Sequence, residues 1–297
     1  MAGDAAGARR HRLVPGVPVL ETLLDGLTFT EAPRWHDGRL WFSDFYSHRV
    51  IAVDPAGRAE TMLEVPARPS GLGWMPDGAL LVVSMLDRRL LRVEKGHTRV
   101  HADLSAVATG PCNDMVVDAR GRAYVGNFGY DRHKGEPPRT TCLARVDPDG
   151  RVTRAAEELF FPNGTVITPD GRTMIVGETQ GHRLTAFDVA PDGALSNRRV
   201  WAQLDEAVFP DGICLDAEGA IWVSDARGHL LLRVREGGTI DGTVSTGSRY
   251  AFACMLGGDD RRTLFACTST GSGPAMADKR DGAVETARVT VPGAGLP

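Results

Sequence analysis

The sequence lacks most of the features that would announce a function early. Its 34 Lys and Arg stand against 38 Asp and Glu, a formal net charge of −4 with the signs interspersed. No basic stripe is available to neutralise phosphates, so a nucleic-acid partner is not expected. No apolar run is long enough to cross a bilayer, and none behind Arg9, Arg10 and Arg12 suits a signal peptide, so no membrane partner is expected either. The five cysteines (Cys112, Cys142, Cys214, Cys254, Cys267) are odd in number and scattered. They outline no disulfide framework and read as reduced core residues of a cytoplasmic protein. Gly-x-Ser-x-Gly elbows, Walker loops, Gly-x-Gly-x-x-Gly turns and His-Glu-x-x-His helices are all missing. The eight histidines, His36, His48 and His182 among them, have no ligand spacing.

Turn residues and short alternating apolar runs are plentiful, with 35 glycines in 297 residues. One unit recurs six times: an apolar entry, an Asp-Gly-like turn, an alternating strand, a polar break and a second strand. The turns fall at Gly38, Gly78, Gly121, Gly171 and Gly219, with a degraded sixth copy around Leu256–Phe265. Asp-Gly between alternating apolar runs signals a hairpin, because glycine tolerates the positive φ of tight turns. Further strands such as His48–Val53 and Arg183–Phe187 extend each unit to three or four. No 3.6-residue apolar period runs through the units, which argues against a helical solenoid. The expected fold is all-β: a six-bladed β-propeller of mostly four-stranded antiparallel blades around a central metal-binding channel. Residues 1–16 are expected to be a disordered tail and 17–297 a single domain. The segment Val17–Leu24, which has no partner of its own, is expected to close the ring beside Val284–Val291.

The repeat also supplies a register. Glu31 precedes its turn glycine by seven residues, while Asn113, Asn163 and Asp211 precede theirs by eight. Equivalent positions on innermost strands all face the axis, so these four side chains should converge from different blades. Singly, each could cap a strand or satisfy a turn, as Asn and Asp often do. Together they crowd two carboxylates and two carboxamides into one channel, and buried charges of one sign call for a counter-ion. Such hard oxygen ligands suit one divalent cation, calcium first, with magnesium, manganese, zinc or iron as alternatives.

These segments (Thr30-Glu31-Ala32-Pro33, Pro111-Cys112-Asn113-Asp114, Phe161-Pro162-Asn163-Gly164 and Phe209-Pro210-Asp211-Gly212), with Asp118–Val125 and Thr168–Arg172, resemble the SMP-30/gluconolactonase/LRE-like family from about Leu23 onward. The resemblance implies a six-bladed propeller that opens a lactone ring with metal-activated water. It implies Glu31, Asn163 and Asp211 as metal ligands, Asn113 as a substrate contact or outer ligand, and Asp211 as general base. Pro111 stands where the sugar-lactonase pattern has Arg, which leaves room for a less polar lactone. The competing readings are a calcium-braced, non-catalytic binding propeller and a phosphotriester hydrolase using the same site. The sequence is silent on oligomeric state.

Blade three carries an extra stretch, Gly129–Thr140, which should emerge where the innermost strands begin. Phe128, Tyr130 and His133 are therefore candidates to overhang the site and contact substrate. Ser43-Asp44 and Ser224-Asp225 recur at matching blade positions and are explained by the repeat rather than by a catalytic triad.

Overall fold

The computed structural model describes residues 18–131 and 134–295. Its 24 strands form six four-stranded antiparallel sheets arranged in a ring, a six-bladed propeller. The innermost strands are Thr30–His36, Pro69–Trp74, Cys112–Val117, Pro162–Ile167, Pro210–Leu215 and Tyr250–Gly257. Asp37 and Gly38, at φ 48° and 73°, make the first hairpin as the Asp-Gly signal predicts. In the degraded sixth repeat Arg261 takes a left-handed turn position at φ 56°.

The outermost strand of blade six, Glu21–Leu27, comes from the other end of the chain and pairs antiparallel with Gly282–Arg288, Thr22 opposite Glu285. The ring therefore closes by a shared blade, as the unpartnered N-terminal segment led us to expect. Apolar faces of neighbouring blades pack into layers, such as Val50 against Leu72 and Val82, or Tyr124 and Leu143 against Met174 and Val176. The five cysteines are buried, and none forms a disulfide.

Two details of the innermost strands shape the axis. All six carry a β-bulge in their first half, between Glu31 and Arg34, Pro69 and Leu72, Cys112 and Met115, Pro162 and Thr165, Pro210 and Ile213, and Ala251 and Ala253. A bulge re-aims the side chain it carries, here six times around the ring. Glycine follows the bulge residue where blades come closest. A Cβ on Gly164 would lie 2.5 Å from Asp211 O and Ile213 N, and one on Gly212 would lie 2.5 Å from Ala253 Cβ.

Candidate functional site

The bulges bring Glu31, Asn113, Asn163 and Asp211, from four blades, to one cavity of about 160 Å³ on the face where the innermost strands begin. All four are buried. Asn113 Nδ2 donates to Asn163 Oδ1 at 2.8 Å, and Asn163 Nδ2 donates to Asp211 Oδ1 and, at 3.1 Å, to Thr179 Oγ1. The Thr179 hydroxyl spends its own proton on Pro210 O at 2.7 Å, so it can only accept from Asn163. That fixes which way the Asn163 amide faces.

Electrostatics at the axis are strained. Burial, then the charges of Asp211 and Asp114, push the Glu31 carboxyl well above its ordinary range, against the Ala32 N–H and Arg34. Asp114 is also raised by burial, opposed by Arg34, whose Nη2 lies 3.0 Å from Asp114 Oδ1 and 2.5 Å from Met115 O. Arg34 is thus engaged from blade one to blade three, while Glu31 and Asp211 share one cavity. Among the described residues no three His, Cys, Asp or Glu side chains converge to hold a metal. A cation here needs carboxamide oxygens beside the two carboxylates, and the donor set fits a hard ion of the calcium class.

Above these polar groups the wall is aromatic. Six of the ten phenylalanines line it: Phe29, Phe45, Phe128, Phe161, Phe209 and Phe252. Buried polar residues ending the second strands clasp the segments that carry several of these rings. Asp44 Oδ1 accepts from Phe29 N at 2.9 Å, Glu178 Oε2 from Phe160 N at 2.7 Å and Asp225 Oδ1 from Phe209 N at 3.1 Å. Asp44 and Asp225 are thus positioning residues for the wall, in keeping with their repeated place in the sequence.

The Arg34–Asp114 pair lies between this cavity and a second one of about 480 Å³ at the opposite end of the axis, lined by Arg34, Trp35 and Trp74 among others. The two cavities share no lining residue.

Residues 29–270 match the family model described as SMP-30/Gluconolactonase/LRE-like region. The chain belongs to that family. It is 30% identical over 258 residues to the pentonolactonase XacC of Haloferax volcanii, covering 84% of this chain and 85% of that one. It is 26% identical over 280 residues to a 6-deoxy-6-sulfogluconolactonase of Pseudomonas putida, covering 90% and 93%. Among solved structures, a calcium-binding regucalcin from Agrobacterium tumefaciens superposes with a TM-score of 0.80 at 21% identity, covering 96% and 99%, a likeness of fold.

Of the candidates drawn from the sequence, Glu31, Asn113, Asn163, Asp211 and Phe128 meet in one cavity. Tyr130 is buried but is not among the residues lining it. Gly129, at φ 81°, reverses the chain there. Its N–H is held by Asn127 Oδ1 at 3.0 Å and its carbonyl by Arg139 Nε at 2.7 Å, which packs the Tyr130 backbone against Gly110. His133 lies outside the described residues. Several features escaped sequence reading. Ser70 and Phe252 share the register of Glu31 on blades two and six, and Ser70 stands eight residues before Gly78. Searching that register for any residue type, not only carboxylates and amides, would have found both. Arg68, Arg227, Thr179 and the excursion between Ser269 and Gly282, which brings Ser272 and Gly273 to the cavity, were also missed.

Proposed function

We propose that this chain hydrolyses a lactone ring, using one divalent cation, calcium first, held by Glu31, Asn163 and Asp211. The observation that carries the proposal is the meeting of two carboxylates and two carboxamides from four blades beneath an aromatic-walled cavity. The lactonase relatives support the same reaction class. When bound, the cation supplies Lewis-acid polarisation of the lactone carbonyl and neutralises charge developing on its oxygen.

The chain's own residues do the rest. Asp211 accepts a proton from the attacking water, and Asn163, itself oriented by Thr179, holds the Asp211 carboxylate in place. The water oxygen bonds to the acyl carbon, the ring acyl–oxygen bond breaks, and the proton held by Asp211 passes to the departing ring oxygen. Asn113 faces the same space and contacts the substrate. Phe128, Phe161 and their neighbours exclude bulk water and hold an apolar ring face, which supports a lactone ring with fewer hydroxyls than a sugar's. The five buried, unpaired thiols support a reducing, cytoplasmic setting.

Acid release from dihydrocoumarin and from gluconolactone, followed with calcium and with chelator, tests the proposal. Turnover lost on chelation and restored by metal is expected. A fully metallated protein inert on a broad lactone panel would instead indicate a calcium-braced binding propeller, or a phosphotriester hydrolase if a phosphotriester panel is turned over.

A further inference from the structure

Four charged side chains line the upper cavity: Glu31 and Asp211 near the axis, and Arg68 and Arg227. The two carboxylates match the charge of one divalent cation. The two guanidiniums match nothing. Neither Arg68 nor Arg227 has a carboxylate within salt-bridge distance among the described residues, although most other arginines described here do. Each instead lies over an aromatic ring, Arg68 4.5 Å from the centroid of Tyr46 and Arg227 4.2 Å from that of Phe209.

Arg68 is the more telling of the two. It is half-buried, and its Nε is shut off from solvent without a hydrogen-bond acceptor. A buried guanidinium donor left unmade is costly, so such a group ordinarily finds a partner. Burial lowers its pKa from the ordinary value, and the group opposing that shift is the Tyr46 phenol, not an acid. Arg68 also holds a left-handed backbone at φ 74°, which an arginine adopts only under tertiary constraint. It stands two residues before Ser70, at the register occupied by Phe29, Pro111, Phe161, Phe209 and Tyr250 on the other blades. One position of an otherwise apolar or aromatic ring is therefore a cation.

We propose that Arg68, assisted by the more exposed Arg227, binds an anionic substituent of the substrate, so that this site is built for a lactone carrying a carboxylate or similar acid on its ring or a short arm. The word substrate rests on the lactonase reading; the anion site itself does not. A planar guanidinium with free donors is suited to a carboxylate, and the surrounding rings remove competing water.

The test uses a ligand that cannot be hydrolysed. Pyroglutamate, a five-membered lactam with a ring carboxylate, and its neutral amide, pyroglutamide, are titrated calorimetrically into the full chain in calcium. The expected result is that pyroglutamate binds about tenfold or more tightly than pyroglutamide, the scale of one charge-assisted hydrogen-bonded pair. In Arg68→Gln that ratio should fall towards one, in Arg68→Lys it should fall part-way, and in Arg227→Gln it should fall less than in Arg68→Gln. Added salt should shrink it in the wild type. Melting curves establish that each variant is folded. A wild-type ratio near one, a ratio that survives Arg68→Gln, or no binding of either ligand overturns the proposal. Lactone kinetics run in parallel keep the two readings apart. Protein that opens lactones but shows no Arg68-dependent ratio loses the anion site alone, and protein inert on lactones that shows the ratio loses the hydrolase reading alone.

Discussion

Replacing Glu31 by Gln changes almost nothing in shape and removes one negative charge from the most crowded point of the axis. Glu31 is buried, feels Asp211 and Asp114, and has as its nearest cation an Arg34 already bound to Asp114. The Ala32 N–H that its carboxylate accepts at 3.1 Å can be accepted equally by a glutamine oxygen. Without metal, Glu31→Gln should therefore stabilise the fold, by about 1–3 kcal/mol on the scale seen when an uncompensated buried charge is relieved. In saturating calcium that advantage should shrink. The wild type then gains about 2.7 kcal/mol for a cation at a hundred times its dissociation constant, and a variant with tenfold weaker affinity gains about 1.4 kcal/mol less, offsetting much of what it gained without metal. Urea unfolding followed by tryptophan fluorescence, with chelator and with calcium, reads both differences. Because the folded Glu31 carboxyl is raised, the wild type binds more protons folded than unfolded there, and its relative stability falls as pH rises towards the raised value. The advantage of Glu31→Gln in chelator should accordingly grow as pH rises above the ordinary carboxylate range. A variant less stable than wild type in both chelator and calcium would refute the charge-crowding argument.

At saturating metal, Asp211→Asn should stay depressed in kcat by about a hundredfold or more while Glu31→Gln recovers much of its rate, provided occupancy is measured alongside; equal recovery would make Asp211 only a ligand. Gly164→Ala should cost about 2–3 kcal/mol in urea unfolding, since its Cβ would lie 2.5 Å from the neighbouring blade's backbone and overpacking is relieved only by moving that blade. Burial raises the Glu178 carboxyl, but Arg183, Thr185 and the Phe160 N–H lower it further, to below its ordinary range. Its contribution is thus complete above that range and lost as pH falls through the lowered value, so Glu178→Gln should cost about 3 kcal/mol at pH 7 and progressively less as pH falls below the ordinary carboxylate range. Phe128→Ala should raise KM for dihydrocoumarin severalfold with a smaller effect on kcat, because Phe128 packs edge-on against Phe161 at 4.6 Å in the cavity wall; an unchanged KM would remove it from the binding surface.

Blade number, hairpin turns and ring closure were legible because each rests on local grammar repeated along the chain. Asp37-Gly38 makes its turn whatever surrounds it, and the orphan strand near Glu21 had one obvious vacancy to fill. The meeting of Glu31, Asn113, Asn163 and Asp211 was legible for the same reason, since a common register on equivalent strands becomes a common direction in space. Other features depend on contacts between distant residues. Arg34 reaches Asp114 across a separation of 80 residues, and no short-range pattern announces it. Tyr130, buried outside the residues that line the cavity, follows a left-handed Gly129 held by Asn127 and Arg139, and the hold from Arg139 is not local either. Arg68 carries no signal in the sequence, and its part-buried place over Tyr46 comes only from the three-dimensional packing.

The Arg34–Asp114 pair has a consequence for traffic. A propeller axis can serve as a tunnel, with arrivals at one end and departures at the other. Here an ion pair held at 3.0 Å accompanies two cavities that share no lining residue. A molecule in the aromatic chamber then leaves on the side by which it came. For ring opening this means that the hydroxy acid formed is flexible, newly charged and still between the next substrate and the axis. Product and substrate then compete for a single doorway. Under the lactonase proposal, clearing that doorway is then a step of every turnover, alongside the chemistry at the bottom.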